Sequence, residues 1–235
     1  MGGARPKAVV EDDEGLWLAK FNRPDDKWNN ARVEHAMLVL ARFCDLTTAE
    51  SRIVKVARRD VLLVKCFDRT KVDDGYTRAR MVSALTLLRG EDTYTARDRW
   101  SYVLLVEELR RASGAAATDA AELFRRMCFN ALISNTDDHP RNHALLAVDS
   151  DWRLSPAYDL TVGDAGRYAN AENIISQCAR FLMKPEEARA VVDKMEKRVS
   201  SSWYKIARKV GVTDKDCKTI ASAFAYPGFR LPMSA

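Results

Sequence analysis

The sequence of 235 residues lacks the features that mark several large classes of protein. It has no apolar run near the roughly 18–20 residues that span a bilayer, and its N-terminus lacks the apolar stretch of a secretory signal. Glycine and proline are sparse, at 10 and 7 residues, while 47% of the chain is hydrophobic and 30% charged. This composition excludes collagen-like and disordered chains. We therefore expect a packed globular protein of the cytoplasm, without a membrane partner.

Cysteine and histidine are also scarce, with five and three residues, and no two cysteines form a C-x-x-C pair. We interpret the five as small, unpaired and buried side chains in a reducing compartment. They are Cys44, Cys66, Cys128, Cys178 and Cys217. The net charge of +5 indicates an anionic partner, and a nucleotide with Mg²⁺ would satisfy it as well as DNA. Because the basic residues are not gathered into one stripe, we do not expect direct binding of nucleic acid.

The chain divides into two parts with different hydrophobic patterns. Up to about Asp68 it is strand-rich, with one helix whose apolar residues recur at helical spacing. The predicted strands are Ala8–Val10, Leu16–Phe21, Ile53–Ala57 and Val61–Phe67, and the predicted helix is Ala31–Cys44. The turns between paired strands are EDDEG and Arg58-Arg59-Asp60.

Beyond Arg69 the helical period dominates. We predict helices at Arg78–Leu88, Asp98–Ala112 and Asp119–Ser134, the last with Thr118 as its N-cap, and a helical segment at 168–226. Two short strands, Ala144–Val148 and Trp152–Leu154, interrupt them. The predicted fold is α+β with two lobes, a small β-rich lobe at residues 1–68 and a larger helical lobe at 69–235.

A polar loop at Asn135–His143 carries the densest chemistry of the chain. It contains two Asp, two His, two Asn and an Arg between an apolar helix and an apolar strand, more than a turn requires. Asp137 offers a carboxylate for a base, and Asn142 offers an amide oxygen for a hard cation. Asp159, seventeen residues after Asn142, adds a second carboxylate. This set is typical of Mg²⁺-assisted phosphoryl transfer.

The small lobe carries a matching set of residues. Lys20 ends a predicted strand and Glu34 lies on the following helix, which is how kinase-like folds hold the phosphates of ATP. The glycines at the start of segment 2–7 can supply a turn whose N–H groups face phosphate. Extended backbone at 64–69 can hydrogen-bond an adenine edge, with Phe67 packing nearby. No P-loop pattern is present.

Six segments, taken in order, resemble one known family over essentially the whole chain. They are GGARPK, LAKF, VEHA, LLVKCFDR, NTDDHPRNHALL and WRLSPAYDL. They are similar to the C-terminal kinase region of HipA-like serine/threonine kinases, the toxins of HipA–HipB toxin–antitoxin modules. The resemblance implies a protein-kinase-like fold and transfer of the γ-phosphate of ATP to Ser or Thr.

The resemblance also implies residue roles. Asp137 is the expected base, Asn142 and Asp159 the expected ligands of Mg²⁺, and Lys20, paired with Glu34, the contact to the ATP phosphates. His139 and Arg141 are expected to shape the catalytic loop, and His139 is also an expected nucleotide contact. The remaining expected nucleotide contacts are Gly2, Gly3, Ala4, Arg5 and Lys7 in the phosphate loop, and Lys65 and Phe67 at adenine.

Family members usually carry about a hundred further residues before the Gly-rich loop, and a regulatory Ser just ahead of it. The segment between Asp159 and Glu172 is also shorter than expected. We therefore expect a separate N-terminal subunit, as in split modules, or a truncated remnant that acts only as a binding module. Expected partners are a protein substrate, such as an aminoacyl-tRNA synthetase, and a HipB-like antitoxin.

Two other interpretations of the residues compete with the kinase. Asp137, Asp138, His139 and His143 could ligate the metal of a phosphohydrolase, although Pro140 argues against a regular helix between the two histidines. The segment Ser200–Phe224 resembles a helix-turn-helix with Thr213 as a cap. The alternative for that segment is a pair of terminal helices whose apolar residues, Trp203, Ile206, Val210 and Ile220, pack into the helical lobe.

Overall fold

The small lobe consists of two antiparallel hairpins joined by a helix. The computed structural model describes residues 5–93, 97, 100–163, 170–224 and 227–231. The strands are β1 (Lys7–Asp12), β2 (Gly15–Phe21), β3 (Ser51–Val56) and β4 (Arg59–Lys65), and the helix is α1 (Asn30–Phe43). The sheet has the order β1-β2-β4-β3. These strands, the two hairpins and the helix were predicted from the sequence, and the structure confirms them.

Side chains of β4 alternate between the two faces of this sheet, as the pleat requires. Leu62 and Val64 join the main core beside α1, while Val61 and Leu63 pack on the other face with Trp17. The hairpin between β3 and β4 turns at Ala57 and Arg58, both with positive φ, so the predicted turn lies one residue too late.

The rest of the chain is mainly helical. Two further hairpin strands, β5 (Arg69–Val72) and β6 (Gly75–Arg78), precede a three-stranded sheet in the order β7-β8-β9. The other elements are β7 (Met81–Ser83), α2 (Ala84–Leu87), α3 (Tyr102–Ala112), α4 (Ala116–Leu132), β8 (Ala144–Val148), β9 (Asp151–Leu154), α5 (Ala171–Ser176), α6 (Pro185–Lys209) and α7 (Asp214–Ile220). Short 3₁₀ turns lie at Pro140–Asn142, Cys178–Phe181, Ala221–Phe224 and Pro227–Arg230.

Two predictions in this region are wrong. The segment Arg78–Leu88 is not one helix, because Met81–Ser83 pairs with β8 and the Ser83 hydroxyl caps a single helical turn after it. Helix α4 begins at Ala116, so Thr118 lies inside it. Ser113 instead orders this turn, since its hydroxyl accepts the Ala115 N–H and donates to Asp119.

One apolar core connects the two lobes. It runs from α1 through α3 and α4 to α6 and α7, with Met37, Leu123, Phe124 and Val192 fully buried. The terminal helices pack into this core: Ile220 is buried, Trp203 stacks on Phe224 with ring centroids 4.2 Å apart, and Thr213 caps α7. Packing therefore accounts for the apolar residues of Ser200–Phe224.

The five cysteines are unpaired, as interpreted from the sequence. Four of them are buried, and Cys66 is half-buried. In the part of the chain that the structure describes, no helix combines the length and the apolar character needed to cross a bilayer.

Candidate active site

A buried lysine joins the two lobes. Lys20, near the end of β2, places its Nζ 2.6 Å from Glu34 Oε1 on α1 and 2.5 Å from Asp159 Oδ1 in the large lobe. Lys20 and Glu34 are each only 8% exposed. Burial by itself would lower the pKa of Lys20, but the two carboxylates outweigh it and raise the pKa, so the ammonium stays charged.

Backbone contacts fix Asp159. Ala157 lies beside the segment after α1, where its N–H donates to Thr47 at 2.8 Å and its carbonyl accepts the Ala49 N–H at 2.9 Å. Asp159 itself has a φ of +59°, a left-handed conformation that Asp tolerates better than most residues. The chain therefore turns sharply here and points the Asp159 carboxylate toward Lys20.

A buried ion pair in α4, between Glu122 and Arg126, binds the segment that precedes Asp159. Arg126 of α4 is 1% exposed, and its guanidinium donates to Glu122 and to the carbonyl of Ser155. Glu122 also accepts the Thr47 N–H at 3.1 Å. Glu122 and Arg126 thus bind both backbone segments of this contact, at Thr47 and at Ser155, to α4. The sequence signal for this role is a Glu and an Arg, four residues apart, in a row of polar residues at helical spacing that also contains Asp119 and Asn130.

The polar loop holds Asp137 and Asn142 in the open. Asp137 is exposed and Asn142 half-buried. Among the contacts of the described residues, neither side chain has a hydrogen bond or an ion pair. The Tyr158 hydroxyl donates to the Arg141 carbonyl at 2.7 Å, so the residue before Asp159 is bound to the residue before Asn142. The structure therefore brings this loop and the segment around Asp159 together.

Gly163 makes a second contact between these two segments. Its N–H donates to the Ser134 carbonyl at 2.9 Å. A Cβ at this position would lie 2.5 Å from that carbonyl oxygen and 2.6 Å from Thr136 Oγ1. Only glycine permits this approach, which sequence reasoning did not identify.

We expect Gly163→Ala to lower the free energy of unfolding by about 1–3 kcal/mol, because backbone must move to admit the methyl group. Denaturant titration measures this change. Gly90→Ala is the matched control, since its new Cβ would meet the end of the Leu85 side chain at 3.1 Å and no backbone atom closer than 3.6 Å. An unchanged unfolding midpoint for Gly163→Ala would contradict the close approach.

The two neighbouring aspartates of the loop have opposite environments. Unlike Asp137, Asp138 is largely buried, and its carboxylate accepts hydrogen bonds from the Tyr102 hydroxyl and from His143 Nε2, the latter at 3.2 Å. Burial alone would raise the pKa of Asp138, but His143, Tyr102 and Asn130 lower it. Asp138 is therefore a fixed anion inside the protein, while Asp137 is free to meet a ligand.

His139 and Arg141 turn away from Asp137 toward Asp92. His139 Nε2 lies 3.0 Å from Asp92 Oδ1, and Arg141 pairs with the other oxygen of the same carboxylate. His139 Nδ1 accepts the Arg141 N–H at 3.0 Å, and the ring of Trp100 packs against the imidazole. These contacts hold the outer side of the loop, and Asp92 and Trp100 were not identified from the sequence.

In the segment that joins the lobes, residues 64–69, the backbone of Phe67 is available to a ligand. The N–H of Lys65 donates to Glu50 and that of Cys66 donates to Leu16, both at 2.9 Å. The N–H of Phe67 has no partner among the described residues. The Phe67 ring contacts Tyr158, whose neighbour is Asp159, with centroids 5.6 Å apart.

The predicted phosphate loop is only partly described. Gly2, Gly3 and Ala4 lie outside the described residues. Arg5 donates to both oxygens of Asp26 at 2.8 Å, and Lys7 pairs with Lys20 across β1 and β2. Lys7 thus lies next to the strand position that carries the buried lysine.

Oxygen ligands suited to a hard cation are available from Asn142 and Asp159. Asp159 uses Oδ1 for Lys20, which leaves Oδ2 open, and the amide oxygen of Asn142 has no partner among described residues. Two side-chain oxygens are what Mg²⁺ ordinarily takes from a protein when phosphates and water complete its shell. Within the described ranges, no three His, Cys, Asp or Glu side chains form a metal cluster. The two loop histidines contact different aspartates, Asp92 and Asp138, which argues against a shared metal of a phosphohydrolase.

Comparison with known sequences identifies relatives of this arrangement. The family model described as HipA-like C-terminal domain matches residues 1–226. Two curated proteins of Sinorhizobium fredii (strain NBRC 101917 / NGR234) are similar. "Putative kinase Y4mE" is 30% identical over 105 residues, 43% of this chain and 25% of the relative. "Putative kinase Y4dM" is 27% identical over 165 residues, 64% of this chain and 38% of the relative. The chain thus spans less than half the length of either protein.

Solved structures share the fold. The fold is similar to HipA in the Shewanella oneidensis MR-1 complex of HipA, HipB and operator DNA, with a TM-score of 0.77 at 16% identity. The match covers 97% of this chain and 65% of that one. The Helicobacter pylori proinflammatory kinase CtkA matches with a TM-score of 0.57 at 12% identity, over 96% of this chain and 92% of that one. These likenesses confirm the predicted two-lobed, kinase-like α+β fold.

Proposed function

The chain belongs to the family of HipA-like C-terminal domains, and from this premise we propose that it is a kinase that transfers the γ-phosphate of ATP, with Mg²⁺, to a Ser or Thr of a protein. The observation that carries the proposal is the buried Lys20, bound to Glu34 in one lobe and to Asp159 in the other. A charged lysine held between two carboxylates at the junction of the lobes can serve phosphoryl transfer. We assign residues 1–68 to the small lobe and 69–235 to the large lobe.

In this proposal the small lobe and the segment that joins the lobes bind the nucleotide. Lys20, kept charged and oriented by Glu34, contacts the phosphates. The Phe67 N–H, which has no partner among the described residues, donates to the adenine ring beside the Lys65 backbone. The glycine-rich start of the chain covers the phosphates. Its proposed members are Gly2, Gly3, Ala4, Arg5 and Lys7, with Arg5 held by Asp26. His139 orders the loop on the substrate side through Asp92.

Asp137 is the proposed general base. As the substrate hydroxyl oxygen attacks the γ-phosphorus, its proton passes to the Asp137 carboxylate, and the bond from the γ-phosphorus to the β–γ bridging oxygen breaks. ADP and the phosphorylated side chain are the products. The exposure of Asp137 and its lack of described partners suit this role, because the base must reach a proton on a second protein.

Asn142 and Asp159 are the proposed ligands of Mg²⁺. When bound, the ion neutralises charge that develops on the phosphate oxygens. The chain's own contribution is to hold two oxygens at the edge of the site: the Tyr158 hydroxyl binds the Arg141 carbonyl, and the Ala157 backbone fixes the turn into Asp159.

The biological setting follows from the family rather than from the site. We propose that the chain is the toxin of a HipA/HipB-type module in the cytoplasm, with a HipB-like antitoxin as partner. A component of translation, such as an aminoacyl-tRNA synthetase, is the proposed substrate class. In the Shewanella oneidensis structure, HipA is in a complex with HipB and operator DNA, which supports the proposal of an antitoxin partner for this chain.

Nucleotide binding tests the proposal without knowledge of the substrate. We expect Mg²⁺ and ATP at about 100 times Kd to stabilise the protein by about 2.7 kcal/mol. In a chain of this size that corresponds to a rise in Tm of about 5–10 °C. The Asp159→Asn variant should lose most of the Mg²⁺-dependent part of this rise. A cooperatively folded wild type whose Tm does not respond to Mg²⁺ and ATP would contradict the proposal and favour a binding module without kinase activity.

A further inference from the structure

We propose that Asp138 is a positioning residue, which holds the proposed base Asp137 and the proposed metal ligand Asn142 in place by tying the middle of the Asn135–His143 loop to its last residue. The roles of Asp137 and Asn142 rest on the proposed function. The loop clamp formed by Tyr102, Asp138 and His143 stands on the geometry alone.

The clamp ties the middle of the loop, at Asp138, to its last residue, His143. Asp138 directly follows the base, and His143 directly follows Asn142. The hydrogen bond between Asp138 and His143 Nε2 spans these five positions, at 3.2 Å. The Asp138 side chain is only 13% exposed and His143 is buried, whereas Asp137 is exposed and Asn142 half-buried, so the clamp residues face the interior and Asp137 faces outward. The positions of the Asp137 and Asn142 side chains therefore depend on the hydrogen bond between Asp138 and His143.

Two helices anchor the clamp. Tyr102, the first residue of α3, donates its hydroxyl hydrogen to Asp138 and accepts a hydrogen bond from Asn130 of α4 at 2.9 Å. Asn130 in turn accepts one from Asn135 at the start of the loop, at 3.1 Å. The edge of the Tyr102 ring packs on His143, with centroids 5.3 Å apart. The position of the loop is thus set by the rigid pair α3 and α4.

Burial makes these contacts strong determinants of the loop conformation. His143 and Asn130 are each 5% exposed, so neither can exchange its partner for bulk water. A buried polar group that loses its partner costs about 1–3 kcal/mol. A shift of the loop that opened the clamp would break the hydrogen bond between Asp138 and His143 and leave the Tyr102 hydroxyl without its acceptor. The clamp therefore favours one arrangement of Asp137 relative to Asn142.

The sharpest test compares two Tyr→Phe variants, because the described residues contain two hydrogen bonds from Tyr to Asp. Tyr102→Phe removes the bond to Asp138, and Tyr204→Phe removes an exposed bond to Asp214 at 2.8 Å, far along α6. We expect amide hydrogen exchange of the 135–143 loop in the unliganded protein to be at least about fivefold faster in Tyr102→Phe than in wild type. Tyr204→Phe should match wild type.

Kinetics supply the second measurement. In Tyr102→Phe we expect kcat to fall about tenfold, with KM for ATP within about twofold of wild type, because the base is displaced while Lys20 and Phe67 still hold the nucleotide. Asp138→Asn should have a kcat between those of Tyr102→Phe and wild type. Its amide oxygen still accepts the hydrogen bond from Tyr102, while the bond to His143 changes. Loop exchange as slow as wild type in folded Tyr102→Phe and Asp138→Asn would overturn the clamp. If the wild type transfers no phosphate, the exchange measurement still decides the clamp, while the proposed function fails separately.

Discussion

Asp137→Asn is expected to lower the rate of phosphate transfer by about 10²-fold or more, because it removes the group that accepts the hydroxyl proton. The amide has almost the same shape as the carboxylate but cannot take up the proton. Transfer of label from γ-³²P-ATP to a protein acceptor measures the effect. Since Asp137 is exposed and has no partner among described residues, the free energy of unfolding should stay within about 0.5 kcal/mol of wild type.

Asp149→Asn is the matched control for this substitution. Asp149 is also exposed, and it lies in the turn between β8 and β9 with a φ of +53°, which Asn adopts as readily as Asp. Its rate of transfer should equal that of wild type. Equal activity of Asp137→Asn and wild type would remove Asp137 from the mechanism and turn attention to the other carboxylates of the site.

Lys20→Met is expected to destabilise the protein by about 3–5 kcal/mol, because it leaves the buried Glu34 carboxylate without its counter-ion. Asp159, whose side chain is 45% exposed, can be solvated by water and contributes less. Denaturant unfolding measures the change. Lys194→Met removes an exposed ion pair with Asp45 and should change stability by no more than about 1 kcal/mol.

A double variant separates the stability of this pair from its function. Lys20→Met combined with Glu34→Met replaces the buried pair by two apolar side chains of similar volume, so most of the lost stability should return. Transfer of phosphate should not return, because no cation faces the phosphates. Recovery of activity together with stability would mean that Lys20 has only a structural role.

The sequence predicted the elements whose pattern is local. Strands β1 to β4 and helix α1 follow from apolar periodicity and from Gly15 at a hairpin. The three residues Asp137, Asn142 and Asp159 could be named because they lie in short polar motifs between apolar elements. The structure places those motifs side by side, while the roles of the residues stay proposals.

The sequence could not predict contacts that depend on distant parts of the chain. Nothing near Tyr102 indicates that its hydroxyl meets Asp138, and Arg126 and Gly163 act through backbone segments that are far away in sequence. The segment Arg78–Leu88 was predicted as a helix because its apolar spacing fits one, yet Met81–Ser83 pairs with β8 and the tertiary contact overrides the local preference. Such errors arise where packing partners decide the structure.

The ion-paired Lys20 lies at the junction of the two lobes and contacts a carboxylate from each of them. Lys20, Glu34 and Asp159 come from a strand, a helix and a turn that meet at the edge of one continuous core. A change in the position of Asp159 would therefore change its ion pair with Lys20 across the junction. The proposed nucleotide would lie along this line, between the Phe67 N–H and the open oxygens of Asp159 and Asn142.

The most direct test of the central claim is transfer of label from ATP by the wild-type chain, with γ-³²P-ATP and α-³²P-ATP compared side by side. The acceptor is a soluble protein extract with its own kinases heat-inactivated, and chelation of Mg²⁺ serves as the blank. The account predicts label from the γ-position only, dependent on Mg²⁺, and recovered as phosphoserine or phosphothreonine after acid hydrolysis. Folded protein that transfers no label from either nucleotide, to the extract or to itself, would contradict it.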